Sequence, residues 1–178
     1  VLGLGLQTEP WPQDEAAVEN AESLIDHLIK QFERRKASRH LRMYVPTALA
    51  RLAASASPES RVRVIEVLME GTKQHTKWST PTCRSAIAAL GVLVDADEDA
   101  TDKRARNALQ RAAKGRDAVG RSFALVSLAR AAARPGDGEG DAVAATDQVA
   151  RFLLQQLTRG KHLQKPWAGV ALGVLGFE

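Results

Sequence analysis

Ala89-Leu90-Gly91-Val92-Leu93 recurs, residue for residue, as Ala171-Leu172-Gly173-Val174-Leu175. Looser copies read Val1-Leu2-Gly3-Leu4, Ala50-Arg51-Leu52-Ala53 and Ser127-Leu128-Ala129-Arg130, each with a leucine ahead of a glycine or alanine. Those leucines stand at 2, 52, 90, 128 and 172, in steps of 50, 38, 38 and 44 residues. Steps of that size are the period of a repeat made of two helices. One helix pair cannot bury its apolar face alone, so successive pairs must stack. The spacing therefore predicts an all-α solenoid, a right-handed α-α superhelix, occupying residues 1–178 as one repeat domain.

Working outward from the recurring phrase, a second set of helices fills the intervals. Val18, Ala21, Leu24, Ile25, Leu28, Ile29 and Phe32 form one apolar stripe of helical period, and Val62, Val64, Ile65, Val67 and Leu68 another. Ala105, Ala108, Leu109, Ala112 and Ala113 form the third, and Val149, Phe152, Leu153 and Leu157 the fourth. Calling the recurring phrase A and these stripes B, the order is A, B, A, B throughout. Ser57-Pro58 and Thr80-Pro81 read as helix starts, with a capping side chain before a proline whose missing N–H costs nothing. Gly71, Gly115 and Gly160 each follow a B stripe and read as left-handed helix stops. The longer steps coincide with turn-forming stretches at 8–12 and 134–140.

Composition supports that reading. Of the 178 residues, 44 % are hydrophobic but only 4 % aromatic, with alanine and leucine dominant, so helices packed through small side chains are favoured over sheets. The formal charge is +4, from 25 basic and 21 acidic residues, a modest excess rather than a polybasic chain. Cys83 is the one cysteine, which excludes an internal disulfide framework and a cysteine-based zinc cluster, and a reducing, cytoplasmic setting fits it best. No apolar run reaches the roughly 20 residues that a spanning helix needs, so no membrane contact is expected.

Arg84-Ser85-Ala86-Ile87-Ala88-Ala89-Leu90-Gly91-Val92-Leu93-Val94-Asp95 resembles the first helix of HEAT repeats, particularly the short HEAT-like repeats of bacterial proteins of the phycobilisome lyase type. In those helices an arginine and small residues precede Ala-Leu-Gly-x-Leu-Gly-Asp; Val94 stands here for the second glycine. Residues 168–176 repeat the motif, whereas the copies at Leu52 and Leu128 carry alanine for the glycine and lack the arginine. The resemblance implies HEAT-like helix pairs whose B helices line a concave surface, and a scaffold or adaptor that binds another protein without catalysis. Both ends stop within an A phrase, which predicts a segment of a longer array or end-to-end self-association, since solenoids normally finish in polar caps.

Aligning the repeats brings out the charge pattern. Every turn from B to the next A is basic: Arg34, Arg35, Lys36 and Arg39; Lys73, His75 and Lys77; Lys114, Arg116 and Arg121; Arg159, Lys161, His162 and Lys165. Turns from A to B are acidic, most densely at Asp95, Asp97, Glu98, Asp99 and Asp102. Stacking would make one edge positive and the other negative. Complementing the helix dipole explains acids at B starts and bases at B ends, but not bases at the following A starts. That remainder makes Lys73, Lys77, Arg116, Lys161 and Lys165 the candidate partner contacts, with an acidic protein as the expected ligand. The first rival is nucleic-acid binding: Trp78 and Trp167 flank basic turns and could stack bases as in HEAT-like DNA glycosylases, although such residues more often staple a loop to a core. The second rival is a lyase-type chaperone.

Other chemistry finds no pattern. An EF-hand loop begun at Asp95 would place Ala100 where glycine is needed and Arg106 where a bidentate glutamate is needed. His27, His40, His75 and His162 fall in different repeats without ligand spacing. Cys83 has no nearby histidine and reads as core filler. No nucleophile motif or phosphate-cradling loop occurs, so no catalytic residue, metal or cofactor is expected.

Overall fold

The computed structural model describes residues 15–34, 38–73, 77–136 and 142–177. The Leu2 phrase, Trp11, His75 and the acids at 137, 139 and 141 lie outside the described residues. Eight helices run in order among those described: α1 (Glu15–Glu33), α2 (Arg39–Ala53), α3 (Pro58–Gly71), α4 (Thr80–Leu93), α5 (Ala100–Ala113), α6 (Ala118–Ala133), α7 (Ala142–Arg159) and α8 (Lys165–Phe177). No strand occurs among them. The fold is an all-α superhelix of two layers. The recurring phrases lie in α2, α4, α6 and α8, which stack in sequence as the A layer, and the intervening stripes form α1, α3, α5 and α7 of the B layer.

Small residues set the closeness of the A layer. A Cβ on Gly91 would lie 2.5 Å from the Ser127 Cβ and 2.6 Å from its Cα, so α4 and α6 touch almost backbone to backbone. The B layer is looser: α1 meets α3 and α3 meets α5, but α5 and α7 do not meet. Between the layers runs a continuous core that includes Ile25, Leu28, Phe32, Leu49, Ile65, Leu68, Ile87, Leu90, Leu109, Leu125, Leu128 and Leu153, all essentially inaccessible. Of the predicted B-stripe residues from Ala21 onward, Val62 is exposed and the others are buried or half-buried.

The helix starts follow side-chain capping. Ser57 Oγ accepts the Ser60 N–H at 3.3 Å ahead of Pro58, as the sequence predicts. The next start lies one residue earlier than Thr80: Ser79 is the cap, its Oγ accepting the Thr82 N–H at 3.4 Å. The glycine stops are corrected. Among the described residues only Gly136 has a positive φ, +71°. Gly71 is itself the last residue of α3, and its smallness serves packing, because Phe32 and Ala86 approach within 3.0 Å of where its Cβ would be. The helix ends there through Thr72, whose N–H reaches the Leu68 and Met69 carbonyls.

Candidate functional site

The looser B layer opens a groove of about 910 Å³ between α3 and α5. Its floor includes Met69 from α3 with Ala108 and Ala112 from α5, and its walls are charged. Lys73, Arg104, Arg111 and Arg116 supply four positive charges against Glu66 and Glu70, an excess of two. The local sequence explains the arrangement. On α5 the alanines at 105, 108, 112 and the leucine at 109 turn inward, which leaves Arg104, Asn107 and Arg111 on the outward face at helical spacing.

Ion pairs already span this surface. Arg104 meets Glu66 at 3.0 Å, Lys73 pairs with Glu70, and one repeat earlier Arg63 of α3 pairs with Asp26 of α1. All of these side chains are half exposed or more. Such pairs are worth about 0–1 kcal/mol each, so an incoming carboxylate can exchange with them at little cost.

The structure divides the five predicted contacts. Lys73 and Arg116 line the groove. Lys77 lies over the Trp78 ring, 4.5 Å from its centroid. Lys161 and Lys165 sit at the turn from α7 to α8 and are not part of the groove. Arg121, placed by the sequence on the positive edge, is instead buried, its guanidinium donating to the Gly115 and Arg116 carbonyls at 3.1 and 3.2 Å. Arg104 and Arg111 are the groove residues that the turn-by-turn reading missed. The signal lay in the repeat offset: Glu66 and Arg104 are 38 residues apart, one repeat step.

Trp78 is a staple. It is 7 % exposed and stacks on Phe32 with ring centroids 4.1 Å apart, so it offers no open face to a nucleobase. Trp167 is exposed on α8. Cys83 is buried, as its sequence context predicts, and burial pushes its thiol pKa up.

The acidic turn from α4 to α5 is also corrected: Asp95, Asp97 and Asp102 are buried instead of forming a solvated edge. Arg61 of α3 meets Asp95 at 2.6 Å, and Arg106 donates to the Asp95 and Asp97 carbonyls at 2.6 and 2.7 Å. Arg134 closes the other side by donating to the carbonyls of Gly91, Val92 and Val94. Gly136 fits against the same carboxylates, since a Cβ there would lie 2.5 Å from Asp95 Oδ1. Asp95, Asp97 and Asp102 each bring a carboxylate oxygen within 4.8 Å of the others, a spacing that oxygen ligands of a divalent cation can adopt. Here guanidinium groups already provide compensating charge. Burial, then the neighbouring charge of Asp95, pushes the Asp102 pKa up to about 7.

No family model and no curated protein matches the chain. Among the described residues, no helix is long and apolar enough to cross a membrane. The groove offers guanidinium and ammonium donors above an apolar floor, which suits it to hold carboxylates flanked by apolar groups.

Proposed function

We propose that this chain is a HEAT-like scaffold of the cytoplasm, non-enzymatic, which docks an acidic segment of another protein in the groove between α3 and α5. The observation that carries the proposal is the groove itself: Lys73, Arg104, Arg111 and Arg116 around Met69, Ala108 and Ala112, with a net positive lining. An acidic segment with interspersed apolar residues satisfies both the walls and the floor. A nucleic acid suits it less well, because Trp78, the aromatic beside the groove-side basic turn, is enclosed in the core and offers no face for a base to stack on. The single buried cysteine is consistent with a reducing compartment.

Fluorescence anisotropy with a labelled peptide of alternating glutamate and leucine tests the proposal, with duplex DNA and single-stranded RNA as comparison probes at several salt concentrations. The peptide is expected to bind, and the double substitution Arg111→Glu and Arg116→Glu to weaken it by about tenfold or more, equivalent to about 1.4 kcal/mol. Binding of nucleic acid in preference to the peptide, with a steep salt dependence, would replace the protein-docking reading. Peptide affinity unchanged by the double substitution would remove the groove from consideration.

A further inference from the structure

The four helices of the A layer contain no aspartate or glutamate, and each carries at least one arginine or lysine. Among the described helices every acid lies in the B layer. Helix α6 shows which way the A layer faces. It has α4 and α8 on its flanks and the B layer beneath it, so within residues 119–132 it is open along one stripe, Val119, Phe123, Val126 and Arg130, at the spacing of a single helix face. That stripe points away from the groove between α3 and α5, which belongs to the B layer. Leu163, Trp167, Val170 and Val174 stand at the equivalent positions 44 residues further on.

The two stripes adjoin, since α8 packs on α6, and only Arg130 interrupts their apolar surface. Leu163 is 73 %, Trp167 43 % and Phe123 39 % exposed. This exposure does not come from a missing neighbour, because Phe123 is nearly as open as Trp167 although α6 has a helix on either side. On α2 and α4 the positions equivalent to the two aromatic rings hold Thr47 and Ser85, whose hydroxyls lie 3.4 Å apart, so the face turns from polar to apolar along the stack. A contiguous exposed apolar surface of this kind marks a contact site. The turn that carries Leu163 supplies the charge. Among the described residues Arg159, Lys161 and Lys165 take part in no ion pair, and residues 148–177 contain no acid. Gln164 anchors the turn from below: it is buried, and its amide donates to the Ala113 carbonyl at 2.9 Å. Asp117, the acid just ahead of the α6 stripe, is held by both arms of Arg84 at 2.7 Å each.

From this juxtaposition we infer that the outer face of α6 and α8 binds the surface of an anionic lipid bilayer. Leu163, Trp167 and Phe123 enter the boundary between headgroups and acyl chains, where aromatic rings are favoured, and Lys161 and Lys165 meet the anionic headgroups beside them. A bilayer fits this face better than a protein for two reasons. Its charge has one sign over the whole surface, and the A helices carry no carboxylate to oppose it. The apolar side chains also protrude, and protruding side chains enter fluid lipid without matching sockets. The contact is peripheral, since among the described residues no helix is long and apolar enough to cross the membrane. The groove between α3 and α5 then opens on the side away from the lipid, and the inference stands independently of what that groove binds.

Co-sedimentation of the full chain with vesicles of phosphatidylserine and phosphatidylcholine tests the inference, with vesicles of phosphatidylcholine alone for comparison. The wild type is expected to pellet with the mixed vesicles, and the double substitution Lys161→Glu and Lys165→Glu to weaken binding by about tenfold or more. Leu163→Asp combined with Trp167→Asp is expected to abolish binding with an unchanged helical circular dichroism spectrum, both positions being exposed. Leu154→Ser, at an exposed position on α7, is expected to bind as the wild type does. Lipids brominated on their acyl chains are expected to quench the fluorescence of the wild type and to lose that effect in Trp167→Phe. No binding to the mixed vesicles, equal binding to phosphatidylcholine alone, binding unchanged by the Leu163 and Trp167 pair, or quenching that persists in Trp167→Phe would each overturn the inference. A peptide of alternating glutamate and leucine that binds in place of the vesicles, and is lost with the same pair, would also overturn it and reassign the face to a protein partner.

Discussion

Gly91 shows how much of this architecture rests on a single hydrogen atom in place of a methyl group. A helix interior ordinarily gains about 0.5–1 kcal/mol when glycine becomes alanine. At Gly91 the added methyl would lie 2.5–2.7 Å from three atoms of Ser127, one of them backbone, so α6 would have to move. Forcing such a shift in a packed layer costs about 1–3 kcal/mol and outweighs the propensity gain. Gly91→Ala is therefore expected to lower the urea midpoint, with little change in the slope of unfolding. A midpoint equal to or above that of the wild type would show that α4 and α6 separate more readily than their contact implies. Arg84 adds to the same seam: its two donors to Asp117 hold that carboxyl below the usual range and fix the start of α6 against α4.

The acidic turn between α4 and α5 argues at the scale of an element, because its behaviour belongs to a cluster. Asp102 Oδ1 accepts the Asp95 N–H at 3.2 Å, Asp95 Oδ1 accepts the Asp97 N–H, and Asp97 Oδ1 accepts the Asp99 N–H, so each carboxyl orders the turn while crowding the others. With Asp102 raised from 3.8 to about 7, the folded chain holds a proton that the unfolded chain has already lost. Stability from this group is thus full below the unfolded value and is lost as pH rises through about 7, by roughly 2–4 kcal/mol in all. Asp102→Asn keeps an oxygen for the Asp95 N–H and removes the charge. It is expected to raise the urea midpoint at pH 8 and to reduce the difference between pH 5 and pH 8; an undiminished difference would assign the pH dependence elsewhere. Asp97, also raised by burial and by Asp95, leaves a residual slope. This turn also marks where sequence reading stops. Helical period and the recurring phrase place α2, α4, α6 and α8 and their partners, because those signals are local. The burial of Asp95 is not local: its partner Arg61 lies 34 residues away, on the preceding repeat. A run of acids looks the same in the sequence whether water or guanidinium surrounds it. For the groove likewise, Lys73 and Arg116 are legible at turns, whereas Arg104 and Arg111 emerge only when neighbouring repeats are laid side by side.

The molecule as a whole behaves as a one-dimensional stack, in which each helix is as secure as its neighbours make it. Helix α4 packs on α2, α3, α5 and α6, and α6 packs on α4, α5, α7 and α8, so both are held on every side that the layers offer. Among the described residues, α7 packs on α6 and α8 but not directly on α5; the end of α5 reaches it through Lys114, 5.4 Å over the Phe152 ring, and through Gln164, which donates to the Ala113 carbonyl at 2.9 Å and to Gln156 Oε1 at 3.2 Å. Several of its side chains are exposed, with Val143 at 71 % and Leu154 at 50 %. Local opening follows the scarcity of buried contacts, so α7 should open without requiring the rest of the stack to do so. Native-state hydrogen exchange followed by mass spectrometry is expected to show α7 peptides exchanging well before those of α4 and α6, through openings insensitive to low urea. Peptides of α4 and α6 should exchange only through an opening that exposes large surface and therefore accelerates strongly with urea. Uniform protection across α4, α6 and α7 would mean instead that the stack unfolds as one cooperative unit, and that the lack of direct packing between α5 and α7 is energetically unimportant. The predicted gradient has a functional consequence for the docking groove. Its walls, α3 and α5, are anchored to the two most secure helices, α4 and α6, so an acidic segment would meet a surface already in its binding form rather than one it must first order.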